Sequence, residues 1–331
     1  MRDNSASGQR PLDAGVVGTV KTLMTGLIDY AGLFPPSTLP MDKAVENYAR
    51  ELRGEHERFL SRFICLAPRL DELSKHAAAL MPGTYATSGY REQADDQEPW
   101  QISAIITADL EDDLEHIYRF NERHDNEENG LAMVDAIEMK IAQPADVDDA
   151  METLPAMIGA AFELPREAIF SGDPRGFVAA LAGNQATAKI RTGGVTSELY
   201  PTSEDIARFL HACNKADVPF KATAGLHHPV RSEHPLTYED DAPRGVMHGF
   251  VNVFIAAAFV RKLKDFDWDT TIKLLEETDP SAFTFENDRV AWRDTSISND
   301  QLAEVRESFA TSYGSCSFNE PVEDMQKLGW L

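Results

Sequence analysis

Short apolar segments alternate with helical patterns along most of this chain, and few folds accommodate that rhythm. The segments at 27–34, 63–67, 101–107, 132–141, 168–171, 187–191 and 218–223 read as strands. Between them apolar residues recur at helical spacing. After Pro35-Pro36, for instance, Ala44, Val45, Tyr48, Ala49 and Leu52 share one helix face. Strands this short and apolar belong in a parallel sheet covered by helices. Seven such units without a break predict an α/β fold, a (β/α)8 TIM-type barrel with an elaborated C-terminal quarter. In that quarter, over about 265–331, residues 283–292 read as a hairpin split by Glu286-Asn-Asp-Arg289, with helices around it. Residues 313–318 are a candidate closing strand, although the pattern does not decide which segment is the eighth. The polar residues 1–15 read as a disordered tail and 82–97 as a polar loop, leaving 16–331 as a single barrel domain.

Several function classes are disfavoured. No G-x-G-x-x-G follows a strand and no G-x-x-x-x-G-K-[ST] occurs, so nothing supports dinucleotide or P-loop phosphate binding. A net charge of −24 argues against nucleic acid and anionic membrane surfaces as partners. The longest apolar run, 249–260, contains Asn252 and is shorter than the roughly 20 residues of a membrane span; it reads as a buried helix. Cys65, Cys213 and Cys316 are too far apart for a metal motif or a disulfide framework. The first residues lack the apolar core of a signal peptide, so a cytoplasmic location is expected, with assembly into a homo-oligomer left open.

Period-2 alternation sorts the strand residues into faces. Lys189 and Arg191 share one face, as do Lys221 and Thr223, Glu138 and Lys140, and Asp29 and Ala31. In a barrel the apolar faces meet the helices. Asp29, Glu138, Lys140, Lys189, Arg191 and Lys221 therefore point into one lumen near the C-terminal strand ends, where barrel active sites form. Four cations against two carboxylates predict a positive pocket for a small anionic substrate and a lysine with a lowered pKa. A neutral amine is what Schiff-base chemistry needs.

Lys189-Ile-Arg-Thr-Gly193, a helix, and then Lys221-Ala-Thr-Ala-Gly-Leu-His227 resemble the sixth and seventh strands of class I aldolases of the deoxyribose-phosphate aldolase type. The resemblance covers about residues 188–228. It implies a lyase in which Lys189 forms the Schiff base and Lys221 is the neighbouring cation that tunes it. The family's proton-handling aspartate, which follows a valine on an earlier strand, corresponds by motif to Asp135, whereas face parity favours Glu138. No cofactor is implied. The family's phosphate-binding glycines have no recognisable counterpart here. Arg191, Thr223, Asp29, Lys140, His227, His228 and Arg231 are then candidate substrate-binding residues, the arginines through bidentate pairing with an acid.

Other clusters carry alternatives. His227, His228, His234 and His248 fall within 22 residues after the seventh strand. Imidazoles there could hold zinc or another divalent metal, with Asp29, Glu138 or Glu233 completing the site, in a metal-dependent lyase or hydrolase. The lysines would then only hold substrate. Gly314-Ser-Cys-Ser317 is a candidate anion cradle, and Tyr30 a candidate substrate donor. A non-catalytic barrel that binds small anions is the third reading.

Overall fold

The computed structural model describes residues 16–83, 98–107 and 109–331. The expected disordered tail and residues 84–97 of the expected polar loop lie outside the described residues. Eight strands close into a barrel: β1 (Ile28–Tyr30), β2 (Leu60–Leu66), β3 (Trp100–Ile105), β4 (Ala132–Lys140), β5 (Gly159–Glu163), β6 (Thr187–Arg191), β7 (Phe220–Thr223) and β8 (Ala310–Ser315). Each pairs in parallel with its sequence neighbours, and β8 closes the ring between β7 and β1. Helices follow the strands around the outside. This is the expected (β/α)8 barrel, and the segment that could not be chosen from pattern is Ala310–Ser315.

The fifth strand was placed wrongly from sequence. Residues 168–171 are not a strand; Arg166–Ile169 is a helical turn behind Pro165, and β5 is Gly159–Glu163. Two alanines and a glycine give that strand weak β propensity, while Ala168-Ile-Phe170 looks more strand-like. Burial on the sheet overrides propensity: Ala160, Ala161 and Phe162 are all in the core. The helix of the sixth unit begins at Ser203, and its N-cap is Thr202. Thr202 and Asp205 form a reciprocal capping box.

The apolar run expected as a helix is Phe250–Lys262, with Phe250 to Val260 all buried. It packs against β8 and the helices Ser203–Ala216, Trp268–Leu275 and Asn299–Ser308. Its one polar interior residue is fully engaged. Asn252 Nδ2 donates to the carbonyls of Leu274 (2.8 Å) and Glu277 (2.9 Å), and its Oδ1 accepts from Arg231 N–H (2.9 Å). The expected 283–292 hairpin gains a third strand, Thr295–Ser298. The histidine-rich stretch after β7 contains a hairpin, Ser232–Pro235 with Arg244–Met247. Among the described residues no helix is long and apolar enough to cross a membrane.

Candidate active site

The interior of the barrel is charged where branched aliphatic residues usually fill it. Lys221 Nζ lies 2.9 Å from Asp29 Oδ2 and donates to Glu138 Oε1 at 2.6 Å. Lys189 Nζ lies 2.7 Å from both Glu138 Oε2 and Glu163 Oε2. Lys189 is the register partner of Lys221 on one side and of Glu163 on the other, so strand pairing itself sets the chain of alternating charges. Ser103 Oγ donates to Glu138 Oε1 (3.0 Å), and Ser312 Oγ to Asp29 Oδ2 (2.6 Å). Arg62 N–H donates to Asp29 Oδ1 (3.1 Å). Asp29, Glu138, Glu163, Lys189 and Lys221 are all buried.

Face parity therefore places Asp29, Glu138, Lys189, Arg191 and Lys221 correctly, but the expected excess of positive charge is smaller than the sequence suggests. Glu163 lies on the strand misread from sequence and is the third carboxylate. Arg191 Nε donates to it at 3.0 Å. Three buried carboxylates thus face three cations, and Lys140 adds an exposed one at the rim. The expected lowering of a lysine pKa fails for Lys221. Desolvation pulls it down, but the Asp29 and Glu138 carboxylates outweigh burial and hold it above the usual lysine range. Burial opposes ionisation of Glu138, yet Lys189 and Lys221 together keep it well below the usual carboxylate range. Glu163 is likewise lowered against burial, by Lys189 and Arg191.

A cavity of about 410 Å³ opens above this network. Glu138, Lys140, Glu163, Lys189, Arg191, Thr223 and His227 border it. Lys221 lies beneath, enclosed by its carboxylates. The motif glycines serve backbone packing. A Cβ on Gly193 would come 2.7 Å from Gly225 Cα and 2.6 Å from the Tyr200 ring, so the two loops touch only because both residues are glycine. Thr192 Oγ1 ties the same loops by donating to Ala224 O (2.6 Å).

Other candidates lie elsewhere. Asp135 is the extra residue of a bulge in β4 and is gripped by Arg62 Nε (2.8 Å) and an Arg62 terminal nitrogen (2.6 Å), not by either lysine. Tyr30 packs on Tyr48 and Phe63, and its hydroxyl accepts from Asn47 (3.3 Å), so it is turned away from the lysines. His227, His228 and His234 gather beside Glu320 and Asp324, while His248 stands apart on Pro201 O. His227 Nδ1 meets Glu320 (2.8 Å) and His228 Nδ1 meets Asp324 (2.6 Å), both on the helix Asn319–Lys327. His234 stacks on His228 and bonds Ser232 Oγ at 2.7 Å. His248 Nε2 donates to Pro201 O (2.7 Å), and Arg231 lies beside it; neither borders the cavity above Lys189. Among the described residues no group of three or more His, Cys, Asp or Glu side chains is arranged to hold a metal ion. Ser315 Oγ of the expected anion cradle is turned back onto Ser317 O (2.6 Å), while Cys316 is buried at the cavity edge.

Sequence reading missed Glu163, Ser103, Ser312 and the Arg62–Asp135 pair. The apolar run Ile158 to Phe162 just before Glu163 was the available signal for the first. The serines carried none, because a strand serine is unremarkable until its neighbours across the barrel are known. Fold and site together define a (β/α)8 barrel with a paired-lysine ion network under its C-terminal mouth. No protein-family model matches the chain, and no curated protein matches it.

Proposed function

We propose that the protein is a lyase of class I aldolase type, acting through Lys189 on a carbonyl compound that carries an anionic group. One observation carries this reading. Of the two buried lysines, Lys189 borders the cavity, with carboxylates 2.7 Å from its amine, while Lys221 is locked below as a permanent cation. That division of labour is what imine chemistry requires: one amine able to reach a carbonyl, and one fixed charge beside it.

The amine must first lose a proton. Glu163 is the better acceptor because its charge is shared between Lys189 and Arg191 at the cavity wall. A substrate acid that engages Arg191 withdraws one of those counter-charges and raises the proton affinity of Glu163. Neutral Lys189 then attacks the carbonyl carbon. The C–N bond forms, the carbonyl electrons move to oxygen, and oxygen takes up protons and leaves as water. The resulting iminium accepts the electron pair of the breaking C–C bond as Glu163 takes the proton of the hydroxyl that becomes the carbonyl of the departing fragment; that proton then passes to the enamine carbon, and water hydrolyses the iminium to free Lys189. Asp135, engaged by Arg62, has no part in this sequence.

Reduction with borohydride in the presence of candidate oxo acids and aldehydes tests the reading. The expected result is an adduct retaining the carbon skeleton of the carbonyl compound on intact protein, absent in Lys189→Met. Turnover without any reducible adduct would contradict it.

A further inference from the structure

The cavity above Lys189 has two unlike walls. The β1–β3 side presents Phe34, Ile64, Leu66 and Ile105, and the loop after β6 adds Val195 and Leu199. All but Ile64 remain partly exposed. The β4–β7 side presents the charges, which are unequally engaged. Glu138 and Glu163 share Lys189, and Lys221 takes the other oxygen of Glu138. Arg191 commits Nε to Glu163 and keeps its side chain 39% exposed. Lys140 is exposed and has no ion-pair partner among the described residues. These two cations stand together where the cavity meets a second one, of about 320 Å³, which continues to Leu164, Ile169 and Phe170.

Building on the Lys189 reading, we infer that the substrate is an amphipathic oxo acid. Its carbonyl sits at Lys189, its acid on Arg191 and Lys140, and an extended hydrocarbon or aromatic portion covers the apolar wall. Lys189 and Arg191 are two residues apart on one strand face, roughly 7 Å, so carbonyl and acid are separated by only a few bonds. A short phosphorylated polyol fits the same cations but not the walls. Its hydroxyls would give up water for aliphatic side chains with no donor or acceptor in return. Burying Phe34, Leu66 and Ile105 under a hydrocarbon chain instead removes apolar surface from water on both partners.

Straight-chain alkanoates from butanoate to decanoate test this separately from the chemistry, because without an oxo group they cannot form an imine. By calorimetric titration of the wild-type protein, affinity should rise about threefold to fourfold per added methylene until the chambers are filled. Arg191→Ala with Lys140→Ala should weaken octanoate at least tenfold. Leu66→Thr should flatten the chain-length dependence. Affinity that does not rise with chain length would overturn the inference, as would glyceraldehyde 3-phosphate binding Lys189→Met more tightly than octanoate does. Chain-length-dependent binding without borohydride trapping would leave the amphipathic-acid site standing and remove the Schiff-base role. Trapping of short compounds without chain-length dependence would retain the Schiff base and overturn the substrate class.

Discussion

Lys221 and Lys189 differ in surroundings more than in burial, and substitution should separate them. Lys221→Met leaves Asp29 and Glu138 buried together without their common cation. Removing one partner of such a buried network is strongly destabilising, so a loss of about 3–5 kcal/mol is expected from urea unfolding. Lys189→Met should cost less, because Arg191 still neutralises Glu163 and Lys221 still neutralises Glu138. Equal losses from the two substitutions would argue against this assignment of charges. The pH dependence of stability follows from the same groups. Glu138 and Glu163 have folded pKa values below the unfolded range, so their contribution is present above about pH 4 and is lost as pH falls through the folded values. Lys221 is raised, so its contribution is present below about pH 10 and is lost only as pH rises through its folded value. The contribution of this network to the urea midpoint should therefore be flat between these limits and fall at both ends, whereas the midpoint itself starts to fall below about pH 6.5, because burial holds His234 and His248 below the usual histidine range.

The loops after β6 and β7 and the closing strand depend on contacts that pattern does not reveal. Gly193→Ala forces a methyl group against Gly225 Cα and the Tyr200 ring, and overpacking of this kind costs about 1–3 kcal/mol. The two loops flank the cavity, so ligand affinity should fall along with the melting temperature. β8 is pinned from outside by Arg306. Its guanidinium donates to the carbonyls of Ala310 and Thr311 on β8, and of Leu23 (2.9 Å) and Thr25 (3.0 Å) near β1. Arg306→Met should destabilise by about 2–4 kcal/mol, and hydrogen exchange should accelerate first in β8 and β1. Elements with strong periodicity were legible in the sequence: helix Met41–Glu51 and strands β4, β6 and β7. Parity along β4, β6 and β7 was enough to gather Glu138, Lys189 and Lys221 into one lumen. β5 was not legible because an alanine-rich strand is defined by what covers it, and its misplacement hid Glu163 and made the lumen look more positive than it is. Arg306 was equally silent, since an arginine on a helix reads as a solvated residue until its carbonyl partners, two of them 281 and 283 residues away, are known.

Across the whole molecule, 55 acidic against 31 basic residues leave a net charge of −24 around a lumen whose own charges are nearly balanced. Self-repulsion on that surface opposes compaction, whereas the buried network is screened little by salt. Raising sodium chloride from about 0.05 to 1 M, where the Debye length shrinks to roughly 3 Å, should therefore raise the melting temperature. Octanoate affinity should fall only modestly, because its acid meets just two cations at the mouth. An unchanged or lower melting temperature would show that surface repulsion is not what limits stability. The separation of a charge-balanced interior from an acidic exterior also explains why composition was a poor guide to the site. The expected positive mouth reduces to Arg191 and Lys140, two incompletely engaged cations beside one reachable amine. Peptide mapping after cyanoborohydride reduction with a 2-oxo acid addresses that amine. The adduct mass should fall on Lys189 and not on Lys221 or Lys140. Modification at Lys221 or Lys140 with Lys189 untouched would contradict the assignment of Lys189 as the reactive group.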